Sequence, residues 1–136
     1  HILNPEIELH CFTDHPDKII ENYSFDKRKL VLHAINDTLF LEMMSKSSGL
    51  ASSAGFESVC EAMYLNKPVL MVPIQGHYEQ FCNSRDAYKA GAGIFSDHFD
   101  LSILHKFSTT FDETNPWFKN WVANARHRIY NEIISI

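Results

Sequence analysis

Four polar residues, Glu61, Glu79, Gln80 and Asn83, share one stretch of the chain with the small residues Ser52, Ser53, Ala54 and Gly55: SSAGFESVCEAMYLNKPVLMVPIQGHYEQFCNSRDAYKAG, from Ser52 to Gly91. A loop of small residues that opens a helix offers backbone N–H groups and the positive end of the helix dipole to an anion, most often a phosphate. Glu61, about one and a half turns into that helix, could accept from two vicinal hydroxyls as an ionised carboxylate. Ser58 precedes it by three residues and shares its side of the helix. After the apolar run Val69 to Pro73, a second polar turn opens a helix with Glu79, Gln80 and Asn83 near its start. Gln80 and Asn83 each carry donors and an acceptor suited to sugar hydroxyls, whereas Glu79 only accepts. Together they suggest a site for a nucleotide diphosphate with something polar beside it.

Each group also has a plainer explanation. A tight strand-to-helix turn favours small residues at Ala54 and Gly55 without any ligand. Glu61 could be a rim carboxylate paired with a lysine. Glu79, Gln80 and Asn83 could be a polar helix start, its carboxylate favoured by the dipole. His77 sits on the same turn and could touch phosphate or sugar, or merely cap the helix. The remaining histidines are scattered, with no HExxH and no Cys/His cluster, so no metal site is expected. A Gly-x-Ser-x-Gly elbow is absent, and a Ser-His-Asp triad has no support.

Alternating strands and helices must position these residues. Ile7–Thr13, Leu30–Ala34, Gly49–Ser52, Val69–Pro73 and Ile94–Phe95 read as strands, with Asp14–Asp17 as a turn. Helices are expected over Thr38–Lys46 behind an Asn36-Asp37 cap, Gly55–Leu65, His77–Lys89 and Asp100–Phe107. Gly91 and Gly93 are expected to stop the third of these. A last amphipathic helix follows Pro116, after a polar loop over Thr109–Asn115. The continuously apolar Val69–Pro73 suits a parallel strand covered on both faces. Strands and helices at this pitch imply βαβ units and an α/β fold. Ligands of such folds sit beyond the C-terminal strand ends, where both candidate loops fall.

Composition bounds the function. With 136 residues, 45% of them hydrophobic, the chain is long enough for one compact domain with its own core. The formal net charge is −5, and no basic cluster exceeds Lys27-Arg28-Lys29, read as a solvated turn. Nucleic acid requires a basic stripe, so DNA and RNA binding are not expected. Cys11, Cys60 and Cys82 form no CxxC pair and read as reduced, buried thiols of a reducing compartment. No apolar run approaches the roughly 18 residues of a membrane span. The opening HILNPEIELHCF lacks an initiator Met and reads as a cut piece of a longer protein or a tag remnant.

With these residues in view, Ser47–Gly93 resembles the nucleotide-sugar-binding half of GT-B glycosyltransferases, nearest the MurG-like and UDP-glucuronosyltransferase-like branch. The resemblance rests on the order Ala54-Gly55, Ser58, Glu61-Ala62, Lys67-Pro68, Pro73, Glu79-Gln80 and Asn83. It implies a Rossmann-like parallel sheet flanked by helices, the C-terminal half of a GT-B fold truncated at its N-terminus. By position it implies that Ala54, Gly55 and Ser58 hold the diphosphate, that Glu61 binds the ribose, and that Glu79 and Gln80 face the donor sugar. Ile35 would meet the uracil through its backbone. The implied donor is a UDP-sugar, with no cofactor and no metal, and the parent protein a hexosyltransferase for an unseen acceptor. The base would lie in a missing N-terminal acceptor domain or a partner subunit, leaving this chain alone inactive. A non-catalytic nucleotide-sugar-binding module and a UDP-sugar 2-epimerase fragment are the alternatives. The implied location is cytoplasmic, with any contact at the membrane face made through the parent protein. Two positions depart from the family pattern: Asn66 stands for the usual Gly, and Glu79 for the usual Asp.

Overall fold

The computed structural model describes residues 7–22, 29–112, 114 and 116–134. Lys27 and Arg28 of the basic run, and Asn115 at the end of the polar loop, lie outside these residues. The chain divides into two compact units, His1–Lys46 and Ser47–Ile136.

In the first unit, β1 (Leu9–Thr13) pairs in parallel with β2 (Leu30–Ala34), Leu9 opposite Leu30 and Phe12 opposite His33. Helix α1 (Pro16–Asn22) lies between them in sequence. The expected turn therefore shrinks to Asp14 and His15. Pro16 suits a first helical position because its missing N–H has no partner to lose there, and Asp17 favours the positive end of the dipole. Helix α2 (Asp37–Lys46) is capped as the sequence predicts, with Asn36 Oδ1 accepting from the Leu39 N–H at 2.9 Å. The rings of Phe12 and Phe40 meet edge to face, 5.2 Å between centroids.

The second unit is a three-stranded parallel sheet in the order β3 (Leu50–Ser52), β4 (Val69–Met71), β5 (Gly93–Phe95). The central strand carries the core: Val69, Leu70 and Met71 are each 0% exposed. Full burial of such a side chain contributes roughly 1.5–3 kcal/mol. Strand pairing ends two residues before the expected Pro73, which has no N–H to extend it, although the Val72 N–H still donates to the Ser52 carbonyl at 2.8 Å. Gly93 lies inside β5 and stops no helix; a Cβ there would overlap the Val69 carbonyl oxygen, so a side chain is excluded.

Helices α3 (Phe56–Tyr64) and α4 (Tyr78–Lys89) cross between these strands and end in the same way. Asn66 N–H donates to Met63 O and Lys67 N–H to Ala62 O; Gly91 N–H donates to Tyr88 O and Ala92 N–H to Ala87 O. These are paired Schellman closures, with Asn66 at φ 55° and Gly91 at φ 75° in the left-handed position. Asparagine is the residue after glycine that tolerates this conformation, so the departure at Asn66 leaves the closure intact. Asp100 caps α5 (Leu101–Ser108). Helix α6 (Trp117–Ile134) packs against α3, with Lys119 Nζ 5.1 Å from the Tyr64 ring centre.

Parallel strands flanked by helices thus make each unit α/β, as expected from the alternation of elements. Among the described residues, no helix is long and apolar enough to cross a membrane.

Candidate functional site at the carboxyl rim of the sheet

Strands β3 and β4 are adjacent and parallel, so the loops that leave them open on one rim. The first loop is held by a chain of hydrogen bonds. Ser52 Oγ accepts from the Ala54 N–H at 3.3 Å and lies 3.0 Å from Ser58 Oγ, which bonds the Gly55 carbonyl at 3.3 Å. Each hydroxyl has one proton. With Ser58 donating to Gly55, Ser52 must donate to Ser58. The far side of the loop is tied by Asn83 Nδ2, which donates to the Ala54 carbonyl at 3.1 Å.

These bonds hold Ala54 at φ 66°, a left-handed conformation that alanine rarely adopts, in a fully buried position. Gly55, where the sequence suggested a backbone need for glycine, has an ordinary φ of −60°. A Cβ at Gly55 would meet only Ser58 Oγ at 3.9 Å. The protein's own packing therefore does not require glycine there, and the open space lies at the start of α3. No side chain caps that helix, so its first N–H groups remain available to an anion. Glu57, in the same first turn, is the local counterweight, an exposed carboxylate that already favours the dipole and repels a phosphate.

Glu61 is half-buried one turn beyond Ser58. Together, burial and the Glu61 charge, in that order, push the neighbouring Cys60 thiol above its ordinary range. All three cysteines are free and half-buried rather than buried.

The second loop turns at Ile74–His77, where the His77 N–H donates to the Ile74 carbonyl at 3.0 Å and Gly76 takes φ 83°. Gln80 Oε1 accepts from the Ile74 N–H at 2.9 Å and braces the turn from within α4. His77 is the N-cap of α4 through its backbone alone, and its exposed imidazole makes no cap bond. Glu79 is exposed in the first turn of α4. By contrast, Asp100 Oδ1 occupies the start of α5, accepting from the Ser102 N–H at 2.9 Å and its Oγ at 2.6 Å. Neither helix start on this rim, α3 or α4, carries a side-chain cap bond.

Of the residues singled out by the sequence, Ala54, Gly55, Ser58 and Asn83 come together in one bonded cluster. Asn83 and Gln80 brace the two loops, so the groups they use are not free to meet a sugar. Ile35 lies in the other unit, exposed between β2 and α2.

A cleft of about 650 Å³ opens beyond the second loop, between His77, Phe81, Arg85, Phe95 and Asp97. Of the expected residues only His77 lines it. Arg85 and its rings were missed, although Phe81 and Arg85 stand four apart on α4, the spacing at which helical side chains meet. A second concavity, about 420 Å³, lies where α3 and α4 end, lined by Asn66, Gly91, Phe111 and Trp117. Among the described residues, no three His, Cys, Asp or Glu side chains gather to hold a metal ion.

A family model described as glycosyl transferase family 1 matches residues 20–111. No curated protein and no solved structure matches the chain.

Proposed function

This chain belongs to glycosyl transferase family 1, and on that premise we propose that it binds a UDP-sugar and supplies the donor half of a hexosyltransferase of the MurG-like and UDP-glucuronosyltransferase-like kind. The uncapped start of α3 behind a braced loop is the observation that carries this reading. The leaving diphosphate would rest against the first N–H groups of α3, whose fixed dipole stabilises the charge that develops as the sugar departs. Ser58, whose hydroxyl donates to the Gly55 carbonyl, would turn that proton to a diphosphate oxygen while Ser52 goes on donating to Ser58 Oγ. Glu61 would accept from the ribose hydroxyls, and Glu79 would face the donor sugar beside the Gln80-braced turn.

The acceptor and the catalytic base would come from a further domain of the parent protein or a partner subunit. No metal takes part in this scheme. The three free thiols fit a reducing compartment, and we place the protein in the cytoplasm.

Calorimetric titration with UDP tests the donor site. The wild-type chain is expected to bind, and Glu61→Ala to lose roughly 1–3 kcal/mol, the size of a hydrogen bond to a charged group. Binding without any loss in Glu61→Ala would remove the ribose assignment. Binding that never leads to turnover in the full-length protein would favour a non-catalytic module instead. Conversion of a UDP-sugar without an acceptor would indicate an epimerase.

A further inference from the structure

The cleft beyond the second loop contains an arrangement that the donor site does not use. The Arg85 guanidinium carbon lies 4.3 Å from the centre of the Phe95 ring and 5.0 Å from that of Phe81. Contact with aromatic faces fixes the plane of the guanidinium but leaves its N–H donors at the edge. Among the described residues, no hydrogen bond or ion pair occupies those donors, even though Asp97 lines the same cleft. The adjacent carboxylate, Asp86, stands 3.9 Å from Lys89 instead. A guanidinium held this way is pre-ordered, so little rotamer freedom remains to be lost when its fork engages a partner.

The cleft's volume, about 650 Å³, falls within the range of small-molecule sites, and Ile74, Phe81 and Phe95 give it an apolar wall. Ala54, Gly55, Ser58 and Glu61 take no part in it.

We propose that the Arg85 cleft is a second ligand site, separate from the α3 loop, for an amphipathic anion: a carboxylate or phosphate carried on a ring or other apolar body. The fork of Arg85 engages the anionic oxygens, as guanidinium does with carboxylate and phosphate. Ile74, Phe81 and Phe95 cover the body, and Asp97 disfavours a second negative group at its end of the cleft. This assignment does not depend on the identity of the donor.

The test is an amide NMR titration of the protein with benzoate and with phenyl phosphate, using neutral benzamide as the matched control. Both anions are expected to shift the resonances of Gly76, Ser96 and Asp97, and benzamide is not. Arg85→Gln is expected to weaken both anions roughly tenfold or more, while Arg85→Lys, which keeps the charge but not the fork, falls between. Benzamide binding as well as benzoate, unchanged binding in Arg85→Gln, or shifts confined to Gly55–Glu61 would each overturn the proposal. Displacement of phenyl phosphate by saturating UDP would overturn it too, since the cleft would then belong to the donor diphosphate. Glu61→Ala separates the two sites: it is expected to weaken UDP and leave phenyl phosphate unchanged, so one assignment can fail without the other.

Discussion

Asn83 reaches across 29 residues of sequence to donate to the carbonyl of Ala54, 3.1 Å away, and the residue it holds is a buried alanine at φ 66°. The bond fixes the loop that shapes the start of α3. Asn83→Ala leaves that carbonyl without its donor, at an expected cost of about 1–3 kcal/mol. Asn83→Asp sets an acceptor against an acceptor and should cost more. Urea denaturation of the three proteins checks the order, and both variants should bind UDP more weakly than wild type.

Ala54 itself gives a prediction of near balance. A left-handed alanine costs roughly 1–2 kcal/mol, and the extra freedom of an unfolded glycine takes back about 0.5–1 kcal/mol. Losing the fully buried Ala54 methyl costs about a further 0.8 kcal/mol, so Ala54→Gly is expected to leave stability within about 1 kcal/mol of wild type. Ala54→Val, β-branched at a fully buried site, should unfold the second unit's rim. Thermal melts decide between these directions.

Gly55→Ala separates a ligand requirement from a folding requirement. Its φ of −60° and ψ of 140° suit alanine, and the added methyl would meet only Ser58 Oγ at 3.9 Å. The variant should match wild type in stability within roughly 0.5 kcal/mol. If the diphosphate lies against this backbone, UDP affinity should nevertheless fall at least severalfold in calorimetry. An unchanged affinity would place the nucleotide elsewhere.

The helix closures make a matched pair. Gly91→Ala and Asn66→Ala each force an alanine into the left-handed position. Each should cost about 1–2 kcal/mol by chemical denaturation. Asn66→Ala should be the worse relative to its own conformational strain, because the Asn66 amide also donates to the Asp112 carbonyl at 3.2 Å.

Acid sensitivity should trace to the polar turns around α5. Hydrogen bonds from the Ser102 side chain, then its backbone, hold the Asp100 carboxyl below its usual range, and Thr114 does the same for Asp112. A carboxyl whose folded pKa is depressed contributes stability that is complete above the unfolded value, about 3.9, and is lost as pH falls through the folded value. Asp100→Asn keeps an N-cap acceptor but not its charge, so it should remove its share of the acid dependence and lower the neutral-pH melting temperature slightly, leaving the two proteins alike at the acid end. Melting curves between pH 2 and pH 7, on the order of the carboxylate range, provide the check.

Much of this architecture is local chemistry and could be read from residue order. The continuous apolar run at Val69–Met71 marks the buried central strand, because a parallel strand covered on both faces cannot alternate. Asn36 and Asp100 announce the helices they cap, since a cap bond spans only two or three residues. The alternation of these elements also dictates that the Ser52–Gly55 and Ile74–Glu79 loops share a rim, given right-handed crossovers between parallel strands. Helix α1 escaped because the proline and aspartate that read as a turn are equally the residues of a helix start.

What Asn83 and Gln80 do was decided only by tertiary structure. Their amides have the same donors and acceptors whether they meet a sugar or a backbone, and nothing in their spacing says which loop will fold within reach. The chain placed Ala54 and Ile74 against them, and a backbone group takes the partner it is offered. The Arg85 cleft has the same origin: Phe81 lies one turn away on α4, but Phe95 arrives from β5 through the packing of the sheet. The sequence by itself determined the elements and the rim, through interactions within a few residues. The bond from Asn83 to Ala54 instead spans 29 residues, and only the closed fold brings those two groups together.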